Sequence, residues 1–169
     1  MRLNQSVKPL ILAMACLWLV ACASGNKSVV GGYFGLDTDV SIEFLVEADS
    51  NPDELGIGSP LFVRMYELKN AKMMQKADFI DLYEQDEKTI GADLVGDVHR
   101  LKRFKPGEDR VEKFVLGGET KYIALYAEFL QFKDSKFKLV IPVVANNVFI
   151  NTAVIRISGN QMLLHQPVN

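Results

Sequence analysis

The chain has 169 residues, 49% hydrophobic and 24% charged, which excludes a disordered or low-complexity polypeptide and suffices for one domain with a core of its own. With 19 Lys and Arg against 21 Asp and Glu, a formal charge of −2, it lacks the concentrated basic surface of a nucleic-acid binder.

At the N-terminus, Arg2 and Lys8 precede the unbroken apolar run Leu10–Ala21 with no acid among them, the arrangement of a secretory signal over residues 1–21. At about 1.5 Å per residue the run is shorter than a hydrocarbon core of roughly 30 Å, so a spanning helix is the weaker reading. The run ends in Leu19-Val20-Ala21-Cys22, which looks like a bacterial lipobox, where cleavage precedes a cysteine whose sulfur carries diacylglycerol. Ordinary cleavage at Ala21-Cys22-Ala23 is the other reading of the same residues. Cys16 is a poorer acceptor, because cutting there leaves Leu17–Val20 as an exposed apolar end. Acyl chains contribute about 0.8 kcal/mol per buried methylene, and the several chains of a triacylated Cys22 make a stable anchor. No other cofactor is expected. Ala23, rather than aspartate, follows the cysteine, which by resemblance to other bacterial lipoproteins implies the outer membrane. Removing residues 1–21 takes away Arg2, Lys8 and Cys16, so the mature chain is more acidic and has no thiol left for a disulfide. Residues 22–38 read as the lipidated cysteine and a tether, small and polar over Ala23–Ser28.

The domain is expected over 39–160. Val40, Ile42, Phe44, Val46 and Ala48 alternate with Ser41, Glu43 and Glu47, the pattern of a half-buried strand. A second strand is predicted at Leu61–Leu68. Between them Asp49–Pro60 holds two prolines, two glycines and three acids, too long and too broken for a hairpin turn, and loops of that length are commonly functional. Leu55 and Ile57 are apolar at its tip, which exposure to water alone would not select.

From about 70 to 91 the period turns helical, with Met73, Ala77, Ile80 and Ala71, Met74, Leu82 recurring, and Phe79, Leu82 and Tyr83 predicted to dock on a sheet. Strands follow at about Asp93–Phe104, Arg110–Leu116, Lys121–Phe129, Lys136–Val144 and Phe149–Ser158, with turns at Pro106-Gly107 and Gly117-Gly118 and a polar C-terminal tail over 161–169. Seven short strands predict a mainly β, two-sheet sandwich with a helical insertion between strands 2 and 3.

Catalytic signatures are missing from the sequence. The histidines are His99 and His165, there is no HExxH, GxSxG, P-loop or GxGxxG, and no metal site is expected. His99 reads as a strand residue facing water, and Asp78, Asp81, Glu84, Asp86 and Glu87 as a solvated helix face. The chain therefore reads as a binding protein and not an enzyme.

The run from Asn51 through Pro60 to Lys69 resembles the hallmark of the TssJ family, outer-membrane lipoproteins of the bacterial type VI secretion system. Ala77–Tyr83, Ile90–Leu94, Lys105–Glu108 and Tyr122–Phe129, ahead of Ile141-Pro142-Val143, resemble later family blocks in the same order. One departure is Ile57, where many members carry Arg.

The resemblance implies a transthyretin-like sandwich facing the periplasm, held to the outer membrane by its acyl chains. Several copies would act together in the secretion membrane complex. It also implies that the first interstrand loop binds the periplasmic C-terminal domain of the inner-membrane protein TssM. That loop supplies the candidate contacts Asn51, Pro52, Asp53, Glu54, Leu55, Gly56, Ile57 and Gly58, with Leu55 and Ile57 packing on the partner and Asp53 and Glu54 steering it. Two alternatives stay open: Leu55 folds back on the sandwich, or the chain is a periplasmic lipoprotein that inhibits an enzyme or binds a small ligand.

Overall fold

A computed structural model describes residues 38–143 and 151–166; the signal segment, Cys16, Cys22 and nearly all of the expected tether lie outside them. The described strands are β1 (Thr38–Val46), β2 (Val63–Leu68), β3 (Leu94–Arg100), β4 (Arg110–Leu116), β5 (Tyr122–Ala127), β6 (Lys138–Pro142), β7 (Asn151–Ser158) and β8 (Gln161–Gln166). Helices α1 (Lys72–Lys76) and α2 (Phe79–Ile90), then a 3-10 turn at Gly91–Asp93, lie between β2 and β3. The strands form two four-stranded sheets, ordered β4-β1-β7-β8 and β3-β2-β5-β6. Neighbours are antiparallel except β1 and β7, which run parallel from Val40↔Asn151 to Val46↔Ile157.

The alternation in β1 does what its period requires. Val40, Ile42, Phe44 and Val46 are buried and pack, with Ile155 and Ile157, against Val63, Met65, Ile123 and Leu125 of the other sheet. Burying each such side chain contributes about 1.5–3 kcal/mol, which makes the seam between the sheets the main source of stability.

The second sheet is covered on both faces. Val63 and Met65 face the seam, whereas Tyr66, Leu68, Ala124 and Tyr126 pack on Met74, Phe79, Leu82 and Ile90 of the helical insert. That explains why β2 and β5 read as nearly continuous apolar runs instead of alternating ones.

In α2 the Asp78 carboxylate caps the N-terminus, accepting from the Asp81 amide at 2.9 Å. The helix is kinked at Gln85, whose φ/ψ of −150°/49° is not helical. Asp86 follows Leu82 and precedes Ile90 by one helical turn on the same buried face. It is buried, contrary to the solvated face expected for the acidic run, and Tyr83 stays exposed although Phe79 and Leu82 dock as predicted.

The C-terminal tail expected over 161–169 is also corrected. Residues 161–166 form β8, paired with β7 through Ser158↔Gln161 and Ile157↔Met162, with Met162 fully buried. Gly159, at φ +53°, makes the tight turn that returns the chain, so His165 lies exposed on a strand. Several strands are shorter than expected: β2 begins at Val63, with Leu61 joined to Phe104 by an isolated bridge, and β3 ends at Arg100.

Candidate docking site on the loop between the first two strands

The loop joining β1 to β2 folds into a miniature hairpin. Pro52 and Gly58 form an antiparallel bridge, Asp53 N–H donates to the Ile57 carbonyl at 2.9 Å, and Gly56 N–H donates to the Asp53 carbonyl at 3.0 Å. The Asp53 Oδ1 accepts from both the Leu55 and Ile57 amides at 2.9 Å. The expected steering role of Asp53 is thus joined by a local one, since one of its oxygens holds the tip in shape. Glu54 is exposed and free to act at a distance.

The result is a hydrogen-bonded tip presenting apolar side chains to water: Leu55 is 83% and Ile57 61% exposed, so Leu55 does not fold back on the sandwich. Two glycines make the shape possible. Gly56 sits at φ +76°, and a Cβ at Gly58 would lie 2.3 Å from the Ala48 carbonyl oxygen.

The base of the loop is tied to distant chain by Asn51, which is buried at φ +51°. Its N–H donates to the Gly159 carbonyl at 2.7 Å, its Nδ2 to the Pro60 carbonyl at 2.9 Å, and its Oδ1 accepts from the Leu130 amide at 2.8 Å. Gln131 Nε2 donates to the Asp53 carbonyl at 2.7 Å, and Asn160 Nδ2 to the Gln131 carbonyl at 3.3 Å. Leu130, Gln131 and Asn160 are thus joined to the candidate site although nothing in the sequence points to them, because they lie far from the loop along the chain and carry no motif. Among the eight predicted contacts, Asn51 is a structural joint rather than a surface residue, and Pro52 and Gly58 form the neck.

Elsewhere the buried charges are engaged in structure. Arg64 Nη1 donates to Asp86 Oδ2 at 2.8 Å and to the Leu82 carbonyl at 3.0 Å, while its Nε donates to Glu128 Oε1 at 2.8 Å. Tyr66 Oη donates to the same Asp86 oxygen at 3.1 Å. Burial disfavours charge on Asp86, but the Arg64 and Glu87 donors and Tyr66 outweigh it and hold the carboxyl below its ordinary range. Burial raises Tyr66 further, with the Asp86 charge adding to it. Glu67 Oε2 accepts from the Thr120 hydroxyl at 2.6 Å and the Gly117 amide at 2.9 Å, and Oε1 lies 3.1 Å from His99 Nε2. These donors overcome the burial of Glu67 and hold it, too, below the usual carboxylate value. His99, expected to face water, is half-buried with that ring nitrogen on Glu67. Among the described residues no group of three or more His, Cys, Asp and Glu is placed to hold a metal, and no helix is long and apolar enough to cross a membrane.

The family model of type VI secretion lipoproteins, which includes VasD, EvfM and TssJ, matches residues 38–164. The chain belongs to the TssJ family of type VI secretion lipoproteins. Solved structures agree in fold. The T6SS lipoprotein TssJ1 from Pseudomonas aeruginosa matches at 23% identity and a TM-score of 0.70, covering 79% of this chain and 97% of that one. Lip from Serratia marcescens, a membrane-bound component of the system, matches at 15% identity and 0.70, over 78% and 99%. A chain in a structure of the TssM C-terminal domain from EAEC matches at 20% identity and 0.63, over 76% and 98%. The curated proteins contain no sequence match. As a TssJ-family member the chain is a mainly β component of a secretion apparatus, in a family of lipoproteins and not of enzymes.

Proposed function

We propose that this chain anchors the type VI secretion membrane complex to the outer membrane, with acyl chains on Cys22 holding it in the periplasmic leaflet and the Leu55–Ile57 tip holding the periplasmic C-terminal domain of TssM. The observation that carries this reading is the tip itself: two large apolar side chains, 83% and 61% exposed, on a hydrogen-bonded turn. A monomeric fold gains nothing from such a display. A partner gains preorganised contact area, because the loop has little ordering entropy left to lose on binding. The family supplies the setting, and the choice of TssM as partner is supported by a chain of the same fold in a structure of its C-terminal domain.

The role is mechanical. Acylation confines the lipoprotein to a thin layer, where several copies gripping one assembly add avidity to modest individual affinities. Glu54 at the tip steers the encounter.

Calorimetry between the chain from Ala23 onward and a TssM periplasmic C-terminal domain tests the reading, because the described core lies within Val40–Met162 and is retained whole. Binding should vanish when residues 51–58 are replaced by a short Gly-Ser turn, with thermal unfolding still cooperative. Persistent binding would move the interface elsewhere. For the anchor, Cys22→Ser should abolish outer-membrane fractionation while leaving the domain folded; a Cys22→Ser protein that stays in the outer membrane would remove the tether.

A further inference from the structure

The loop joining β5 to β6 lies beside the Leu55–Ile57 tip and carries an apolar residue with no place in the core. Leu130 is 60% exposed, although its neighbour Phe129 is buried. Two hydrogen bonds fix its position relative to the tip: the Leu130 amide on Asn51 Oδ1, and the Gln131 side chain on the Asp53 carbonyl. The Asn160 amide then ties the β7–β8 turn to Gln131. Leu130 and Gln131, with Phe132, Lys133, Asp134 and Asn160, bound an open concavity of about 300 Å³.

We propose that Leu130 is a third anchor for the same partner domain, and that Gln131 is a positioning residue that holds Leu130 and the Leu55–Ile57 tip in one register. This rests on the reading that the tip binds the TssM domain. Interfaces concentrate their energy in a few apolar anchors surrounded by polar residues, and Leu130 has that setting, with Gln131, Lys133, Asp134 and Asn160 lining the same concavity. Gln131 and Asn160 each already give one amide N–H to a carbonyl within the protein, so a partner approaching the leucine meets fewer unbonded donors. The tip projects and the 130–134 segment is concave, so a partner engages by inserting an apolar side chain beside Leu130 while receiving Leu55 and Ile57.

The test is calorimetric titration of the TssM periplasmic C-terminal domain against five proteins: the chain from Ala23, Leu55→Ala/Ile57→Ala, Leu130→Ala, Gln131→Ala, and Leu55→Ala/Ile57→Ala/Gln131→Ala. The proposal expects Leu55→Ala/Ile57→Ala to weaken binding at least a hundredfold and Leu130→Ala to weaken it about tenfold with thermal unfolding unchanged. Gln131→Ala should weaken binding in the parent chain and add nothing to the residual binding of Leu55→Ala/Ile57→Ala, titrated at high concentration. That non-additivity separates positioning from simple contact. If Leu55→Ala/Ile57→Ala weakens binding while Leu130→Ala binds as the parent does, the third anchor is overturned and the tip remains the dock. If the parent does not bind, or Leu55→Ala/Ile57→Ala binds normally, the tip reading and the third anchor fall together.

Discussion

Asn51 and Leu130 are 79 positions apart in the chain, yet the Asn51 Oδ1 accepts the Leu130 amide at 2.8 Å. The same side chain donates to the Pro60 carbonyl, so one buried amide closes the β1–β2 loop on itself and fastens it to the β5–β6 loop. Asparagine is among the few non-glycine residues that tolerate the left-handed backbone found here, and its short amide reaches both partners from it.

Asn51→Ala removes the acceptor for Leu130 and the donor for Pro60 and keeps a β-carbon at φ +51°. The expected cost is about 2–3 kcal/mol. Urea unfolding should show it, and amide exchange should lose protection selectively at Leu130, whose N–H bonds the Asn51 side chain. Uniform loss of protection across both sheets would contradict a local joint.

The two glycines of the loop should respond differently. At Gly58 a Cβ meets the Ala48 carbonyl at 2.3 Å, so Gly58→Ala must move backbone and should lower stability by about 1–3 kcal/mol. At Gly56 the space is open and the penalty is the positive φ alone, about 1–2 kcal/mol, with the neck of the loop intact. Thermal unfolding of both variants, with binding to the partner domain, separates neck from tip: Gly58→Ala should impair binding more than Gly56→Ala.

Arg64 is the bolt between helix and sheet. Arg64→Met leaves Asp86 and Glu128 without their shared cation and should destabilise by about 3–5 kcal/mol. The double variant Arg64→Met/Asp86→Leu should recover part of that loss, because a buried carboxylate left with only the more distant Arg100 cation at 3.7 Å is the larger part of the cost. Denaturant midpoints of the three proteins decide it, and equal midpoints for the single and double variants would refute the argument.

Acid should weaken the fold through Glu67 and Asp86. Both carboxyls are held below their ordinary values in the folded protein, by the donors of His99, Thr120 and Gly117 for one and by Arg64 and Glu87 for the other. Folded values lower than unfolded ones mean that the unfolded chain binds more protons in the window below about pH 4.5, so stability is fully present above it and falls as pH drops through it. Urea midpoints measured from pH 7 to pH 3 should decline across that window. In Glu67→Gln the decline should be shallower, from a lower starting stability, because the amide cannot accept from all three donors.

Much of the architecture was legible because it follows from local periods. The alternation of β1, the proline- and glycine-rich loop after it and the helical spacing of the insert each write their form into consecutive residues. The strand β8 escaped because Gln161–Gln166 has no alternation of its own and is a strand only through pairing with β7. Asp86 escaped for a related reason: it shares the buried face with Leu82 and Ile90, but a carboxylate in a run of acids reads as solvated until its distant partner Arg64 is known.

The sequence by itself determined the class of the fold, the family and the position of the projecting loop, all of which rest on order and spacing along the chain. Only the tertiary structure decided that the loop is hydrogen-bonded into a miniature hairpin, that Leu55 and Ile57 point to water, and that Leu130 and Gln131 stand beside the loop. The physical reason is range. A period or a motif is a property of neighbouring residues, whereas the hydrogen bonds that shape this site join side chains to backbone groups as many as 79 positions away, and nothing local encodes where those groups will meet.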